Sequence, residues 1–127
     1  MIENLNGIHE TVKYKENSNV KLFINAEAED YPIHWHTPME IIMPLEGGYT
    51  TQIGDDLVHL NESDIIFIAS GVTHRLIAPD TGKRLIIQIE WSAVSKIREL
   101  NSILTLISPA ITLTPESSGN IHSNIYK

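Results

Sequence analysis

From about residue 20 to residue 91 the chain is a series of short runs rich in β-branched and aromatic residues, each bounded by turn residues and evenly spaced. The runs are Val20–Ile24, Ile33–Trp35, Glu40–Leu45, Tyr49–Ile53, Leu57–Leu60, Ile65–Ile68, His74–Ile77 and Arg84–Trp91. About eight strands at this spacing predict an all-β sandwich or barrel. Gly54-Asp55-Asp56 makes a hairpin of the fourth and fifth runs. Ile65-Ile66-Phe67-Ile68 has no polar face and reads as a strand buried on both sides.

The period changes after Trp91. Val94, Ile97, Leu100 and Leu104 recur at three and four residues, which predicts one amphipathic helix over about 93–104. Pro109 and Pro115 interrupt the chain around Ala110–Leu113, a last short strand. Residues 1–17 form an N-terminal arm whose polar part, Ile8 to Asn17, either lies mobile over a barrel mouth or is disordered. Residues 18–115 form the barrel with its helix. In 116–127, Ile121 and Ile125 stand four apart, as in the first turns of a helix, which suggests a piece of a longer protein.

A chain of 127 residues makes one domain. It has no Cys, which excludes thiolate-bound metal clusters, thiol nucleophiles and a disulfide scaffold. Residues 1–6 lack the basic and apolar regions of a signal peptide, and no run is long enough to span a bilayer, so no membrane partner and a cytoplasmic location are expected. The net charge of −7 opposes phosphate binding, so this chain is not expected to hold DNA by itself. The basic residues, Lys83-Arg84 included, read as solvated charges.

His34-Trp35-His36 puts two imidazoles on one face of an extended strand, with Trp35 on the other, as outer core or interface. Glu40 follows four residues on, and His74 opens a later strand behind a glycine turn. Three His and one carboxylate can converge inside a barrel and bind a divalent transition metal, although spacing alone does not show convergence. Gln88 and Glu90 share one face of their strand, and Gln88 is the candidate inward polar residue. His9, His59 and His122 have no such setting. No Gly-x-Ser-x-Gly elbow and no phosphate-cradling loop is present, and the paired acids Asp55-Asp56 and Glu29-Asp30 read as turn residues.

His34-Trp35-His36-Thr37-Pro38-Met39-Glu40, followed after six residues by Gly47, resembles the first motif of the cupin superfamily. Ala28 stands where that motif usually opens with Gly. The second motif is met at Gly71 and His74, with Ser63 in place of its first Gly and Ala69 in place of its Pro. Within the superfamily, His-Trp-His, Glu-Ile-Ile-Met-Pro-Leu-Glu-Gly, Leu-x-Glu-Ser-Asp-Ile-Ile-Phe-Ile and Gly-Val-Thr-His resemble the N-terminal effector-binding domain of AraC-type transcription regulators.

The resemblance implies a cupin-type jelly-roll barrel with a short C-terminal helix. It implies a non-enzymatic sensing domain in which His34, His36, Glu40, His74 and Gln88 bind a small polar, sugar-like effector. The positions matching the family's ligands are His34, His36, Glu40 and His74. They would hold one divalent transition metal, Zn, Ni, Fe or Mn, or, with no metal, hydrogen-bond effector hydroxyls directly. Signalling would pass to a C-terminal helix-turn-helix domain absent from this chain, which alone would meet DNA. A homodimer is expected in the full-length protein, with the stripe Val94, Ile97, Leu100 and Leu104 either pairing with a second copy or packing on its own barrel. The rival implication is a stand-alone metal-dependent cupin enzyme of isomerase or dioxygenase type. A storage or structural cupin is a further one.

Overall fold

The structure, a computed structural model, describes residues 4–15, 18–26, 30–95 and 110–114. Within them lie the strands β1 (Leu5–Asn6), β2 (His9–Glu10), β3 (Val20–Asn25), β4 (Tyr31–His34), β5 (Met39–Glu46) and β6 (Tyr49–Ile53). The remainder are β7 (Asp56–Leu60), β8 (Ile65–Ile68), β9 (His74–Ile77), β10 (Lys83–Ile89), the helix α1 (Trp91–Ser95) and β11 (Ala110–Leu113). The all-β jelly-roll expectation holds. The helix begins at Trp91. Its predicted continuation and the apolar stripe beyond Val94 lie outside the described residues, as do His122 and the segment 116–127.

Two antiparallel sheets face each other. One has the order β11-β8-β5-β10-β3, the other β4-β9-β6-β7. Alternation decides what enters the space between them. Along β10 the inward row is Arg84, Ile86 and Gln88; along β5, Glu40, Ile42 and Pro44 lie beside it, because Gln88 pairs with Glu40, Ile86 with Ile42 and Arg84 with Pro44. The middle layer is therefore apolar. Ile42 and Ile86 pack there with Tyr49, Ile53, Leu60, Ile66, Ile68 and Leu76. Each fully buried aliphatic side chain contributes about 1.5–3 kcal/mol. This plug separates two polar layers, Glu40 and Gln88 at one end and Arg84 at the other.

Arg84 departs from the reading as a solvated charge. It is fully buried, and its guanidinium carbon lies 4.8 Å from the Tyr31 ring centroid and 5.2 Å from that of Tyr49. The cause is register: the alternation that turns Gln88 inward also turns Arg84 inward, and the two phenol faces receive the cation.

Two turns carry backbone demands. Gly47 has φ +80°, and a Cβ there would sit 2.9 Å from the Thr81 carbonyl oxygen. Ser63, in the position where the second motif has Gly, adopts φ +71°. Its turn is held by Ser63 N–H donating to the Pro44 carbonyl at 2.9 Å and Asn61 N–H donating to Asp64 Oδ2 at 2.8 Å.

The N-terminal arm is docked in this structure. β1 and β2 form a hairpin around Gly7, and β2 then lies parallel to Trp35 through an isolated bridge between His9 and Trp35. Glu10 N–H donates to Trp35 O at 2.9 Å, and Trp35 N–H donates to Ile8 O at 2.8 Å. The rings of His9 and Trp35 stack with centroids 4.2 Å apart. Farther along the arm, Lys13 and Lys15 border a surface groove with Val20, Lys21, Leu22 and Phe23. No helix among the described residues is long and apolar enough to cross a membrane.

Candidate metal centre

The four-stranded sheet supplies the imidazoles. His34 ends β4 directly opposite His74, which opens β9, and His36 follows two residues later on the same face. The five-stranded sheet supplies the opposing wall, Glu40 at the start of β5 beside Gln88 on β10. All five predicted residues come together, and all are buried, none more than 4 % exposed. His34, His36 and His74 each place a ligand nitrogen within 4.8 Å of the others.

Hydrogen bonds set which nitrogen faces inward. Nδ1 of His34 meets the Pro32 carbonyl at 2.8 Å, Nδ1 of His36 the Pro38 carbonyl at 2.9 Å, and Nδ1 of His74 the Val72 carbonyl at 2.7 Å. A carbonyl only accepts, so every Nδ1 carries the proton and every Nε2 is left to the interior. This anchoring of the outer nitrogen is the support that metal-ligating imidazoles need.

Glu40 is the electrostatic hub. Its Oε2 lies 2.9 Å from His74 Nε2, and its Oε1 accepts from Gln88 Nε2 at 3.0 Å and lies 3.5 Å from His36 Nε2. Burial pushes the Glu40 carboxyl up, but the adjacent His36 and His74 imidazoles outweigh it and hold it well below the usual carboxylate range. Burial pulls His36 down, and its contact with Glu40 reverses that and raises it. For His34, burial and then the neighbouring His74 outweigh the Pro32 carbonyl and Glu40, which act the other way, and lower it to about 4.

Glu10 also reaches the centre, which the sequence reading did not find. Its Oε1 lies 3.6 Å from His34 Nε2, and burial raises its carboxyl. No local spacing marks Glu10, because its position follows from the pairing of β2 with Trp35. Trp35 itself is turned from the imidazoles and covered by His9, while His59 is exposed.

Three buried polar atoms around the centre have no hydrogen-bond partner: His36 Nε2, Glu10 Oε1 and Gln88 Oε1. Unpaired buried polar atoms are costly, about 1–3 kcal/mol each, so such a group calls for an occupant. A divalent transition metal fits it: three inward nitrogens with anchored outer nitrogens, an ionised carboxylate beside them, and orphaned atoms on the same cavity.

The structure is a two-sheet antiparallel barrel in which three imidazoles that could hold a metal ion converge at one end beside a carboxylate. The chain belongs to the cupin domain family, whose pattern matches residues 22–88. It is 34% identical over 55 residues, 42% of this chain, to the uncharacterized HTH-type transcriptional regulator YdeC of Bacillus subtilis, and that match spans 19% of the regulator's length. In fold it is similar to a cupin-2 domain containing protein from Shewanella frigidimarina, at TM-score 0.53 and 21% identity, covering 60% of this chain and 76% of that one. It is likewise similar to the oxalate decarboxylase of Bacillus subtilis, a protein with Mn(II) centres, at TM-score 0.53 and 19% identity, covering 60% and 22%.

Proposed function

We propose that the chain is the ligand-sensing domain of an AraC-type transcription regulator, binding a small polar, sugar-like effector inside the barrel at His34, His36, Glu40, His74 and Gln88. The observation that carries this reading is the 34% identity with an HTH-type regulator. The site chemistry supports it. The orphaned Gln88 Oε1 and Glu10 Oε1 are acceptors that suit hydroxyl donors or a cation. In this reading the domain is not an enzyme and acts in the cytoplasm. It pairs as a homodimer in the full-length regulator, whose separate helix-turn-helix domain meets DNA.

A metal would be held by His34, His36, Glu40 and His74, and when bound it would supply a Lewis acid that polarises an oxygen of the bound molecule. The chain's own residues do the positioning. Gln88 orients Glu40, and the three backbone carbonyls fix the imidazole rings. Effector binding would favour one arrangement of the segments flanking the barrel over another, which is how occupancy would be communicated.

The second reading, a metal-dependent enzyme, is favoured by the completeness of the three-imidazole, one-carboxylate set. Thermal-shift measurements with a panel of sugars and polyols, followed by product analysis, separate the two. The sensor reading expects a compound that raises the melting temperature of the native chain, fails to do so in Glu40→Gln, and is recovered unchanged. Turnover of a bound sugar, or of oxalate added to metal-loaded protein, would overturn it in favour of the enzyme.

A further inference from the structure

Glu10 reaches the centre from outside the barrel. Its place is set by backbone: Glu10 N–H is bonded to Trp35 O and Ile8 O to Trp35 N–H, so β2 is clamped to the residue between His34 and His36. That clamp brings Glu10 Oε1 to 3.6 Å from His34 Nε2. With His34 Nδ1–H donated to Pro32 O, the Nε2 facing Glu10 offers a lone pair, and the carboxylate oxygen offers another. With Glu10 ionised, two acceptors thus face each other in a buried space, and Glu10 Oε1 has no hydrogen-bond partner. A cation between them removes the conflict and satisfies both.

We infer that Glu10 is a further ion-binding residue, carried by the N-terminal hairpin onto the imidazole end of the barrel, so that divalent-cation occupancy and docking of the hairpin are coupled. The inference rests on reading the centre as a metal site. Linkage is reciprocal: whatever affinity the docked hairpin adds to the ion, the ion adds to docking of the hairpin. Ion binding then reads out on the exposed Lys13 and Lys15, which follow Glu10 along the arm.

The test uses metal-free protein of residues 1–127. Zn²⁺ alone is titrated against a competing chelator into the native chain, Glu10→Gln and His74→Ala, and tryptic cleavage after Lys13 and Lys15 is timed with and without Zn²⁺. Circular dichroism of the metal-free variants checks their fold, and Glu10→Asp serves as a second variant should Glu10→Gln unfold. The expected result is an affinity about tenfold or more weaker in Glu10→Gln, and Zn²⁺ protection of Lys13 and Lys15 in the native chain that is lost in Glu10→Gln. Equal affinity of Glu10→Gln and native chain, or cleavage indifferent to Zn²⁺ in the native chain, overturns the inference. If His74→Ala alone loses the ion, the metal centre stands without Glu10. If the native chain binds no Zn²⁺, both fall.

Discussion

His74 Nε2 lies 2.9 Å from Glu40 Oε2 while His74 Nδ1 is bonded to the Val72 carbonyl, so without a metal a proton must sit between the imidazole and the carboxylate. A metal entering the centre takes the place of that proton. Binding of Zn²⁺ by metal-free protein should therefore release protons, so that its calorimetric enthalpy varies with the ionisation enthalpy of the buffer. An enthalpy independent of buffer would contradict the hydrogen-bonded geometry.

The low value of His34 predicts acid sensitivity of the metal-free chain. Unfolded, this His binds a proton below about pH 6.5; folded, it does so only below about 4. Between those values the unfolded state holds the extra proton, so stability falls as pH falls through that window. Urea melts at pH 7, 5.5 and 4.5 should lose a few kcal/mol, and His34→Gln should flatten the decline. An unchanged slope in the variant would assign the loss to other groups.

Gln88 holds Glu40 from the neighbouring strand. Gln88→Leu should cost about 1–2 kcal/mol by leaving one carboxylate oxygen without its donor. It should also weaken metal binding, because Glu40 loses its orientation. Chemical denaturation and chelator competition measure the two effects, and an unchanged metal affinity would show that His36 and His74 suffice to place Glu40.

Arg84 is fully buried against the faces of Tyr31 and Tyr49. Arg84→Ala should cost about 3 kcal/mol through the cavity and the lost ring contacts. Arg84→Met, which fills the space without a buried charge, should cost less than about 1 kcal/mol. If Met proves as damaging as Ala, the charge itself is what the barrel requires.

Ser63 is a non-glycine residue in left-handed backbone, at the position where the cupin motif has Gly. Ser63→Gly should raise stability by about 0.5–1 kcal/mol, as relief of the left-handed penalty exceeds the added chain entropy. A melting temperature higher by a few degrees is the expected reading. A lower one would mean that the Ser63 side chain contributes more than its backbone costs.

Much of the fold and most of the centre were legible in the residues themselves, because strand alternation is a local property with a period of two. It puts His34 and His36 on one face and turns Gln88 inward, and the turn residues mark where each strand stops. Tertiary structure alone decided the rest. Register across the sheets set His34 opposite His74 and Glu40 beside Gln88. The same register buried Arg84, a residue whose type argues for solvent. Glu10 enters the centre through a bridge between segments distant in sequence, and the inward nitrogen of each His follows from a backbone carbonyl two residues away. Such pairings leave no periodic trace along the chain, because they arise only where separate strands meet.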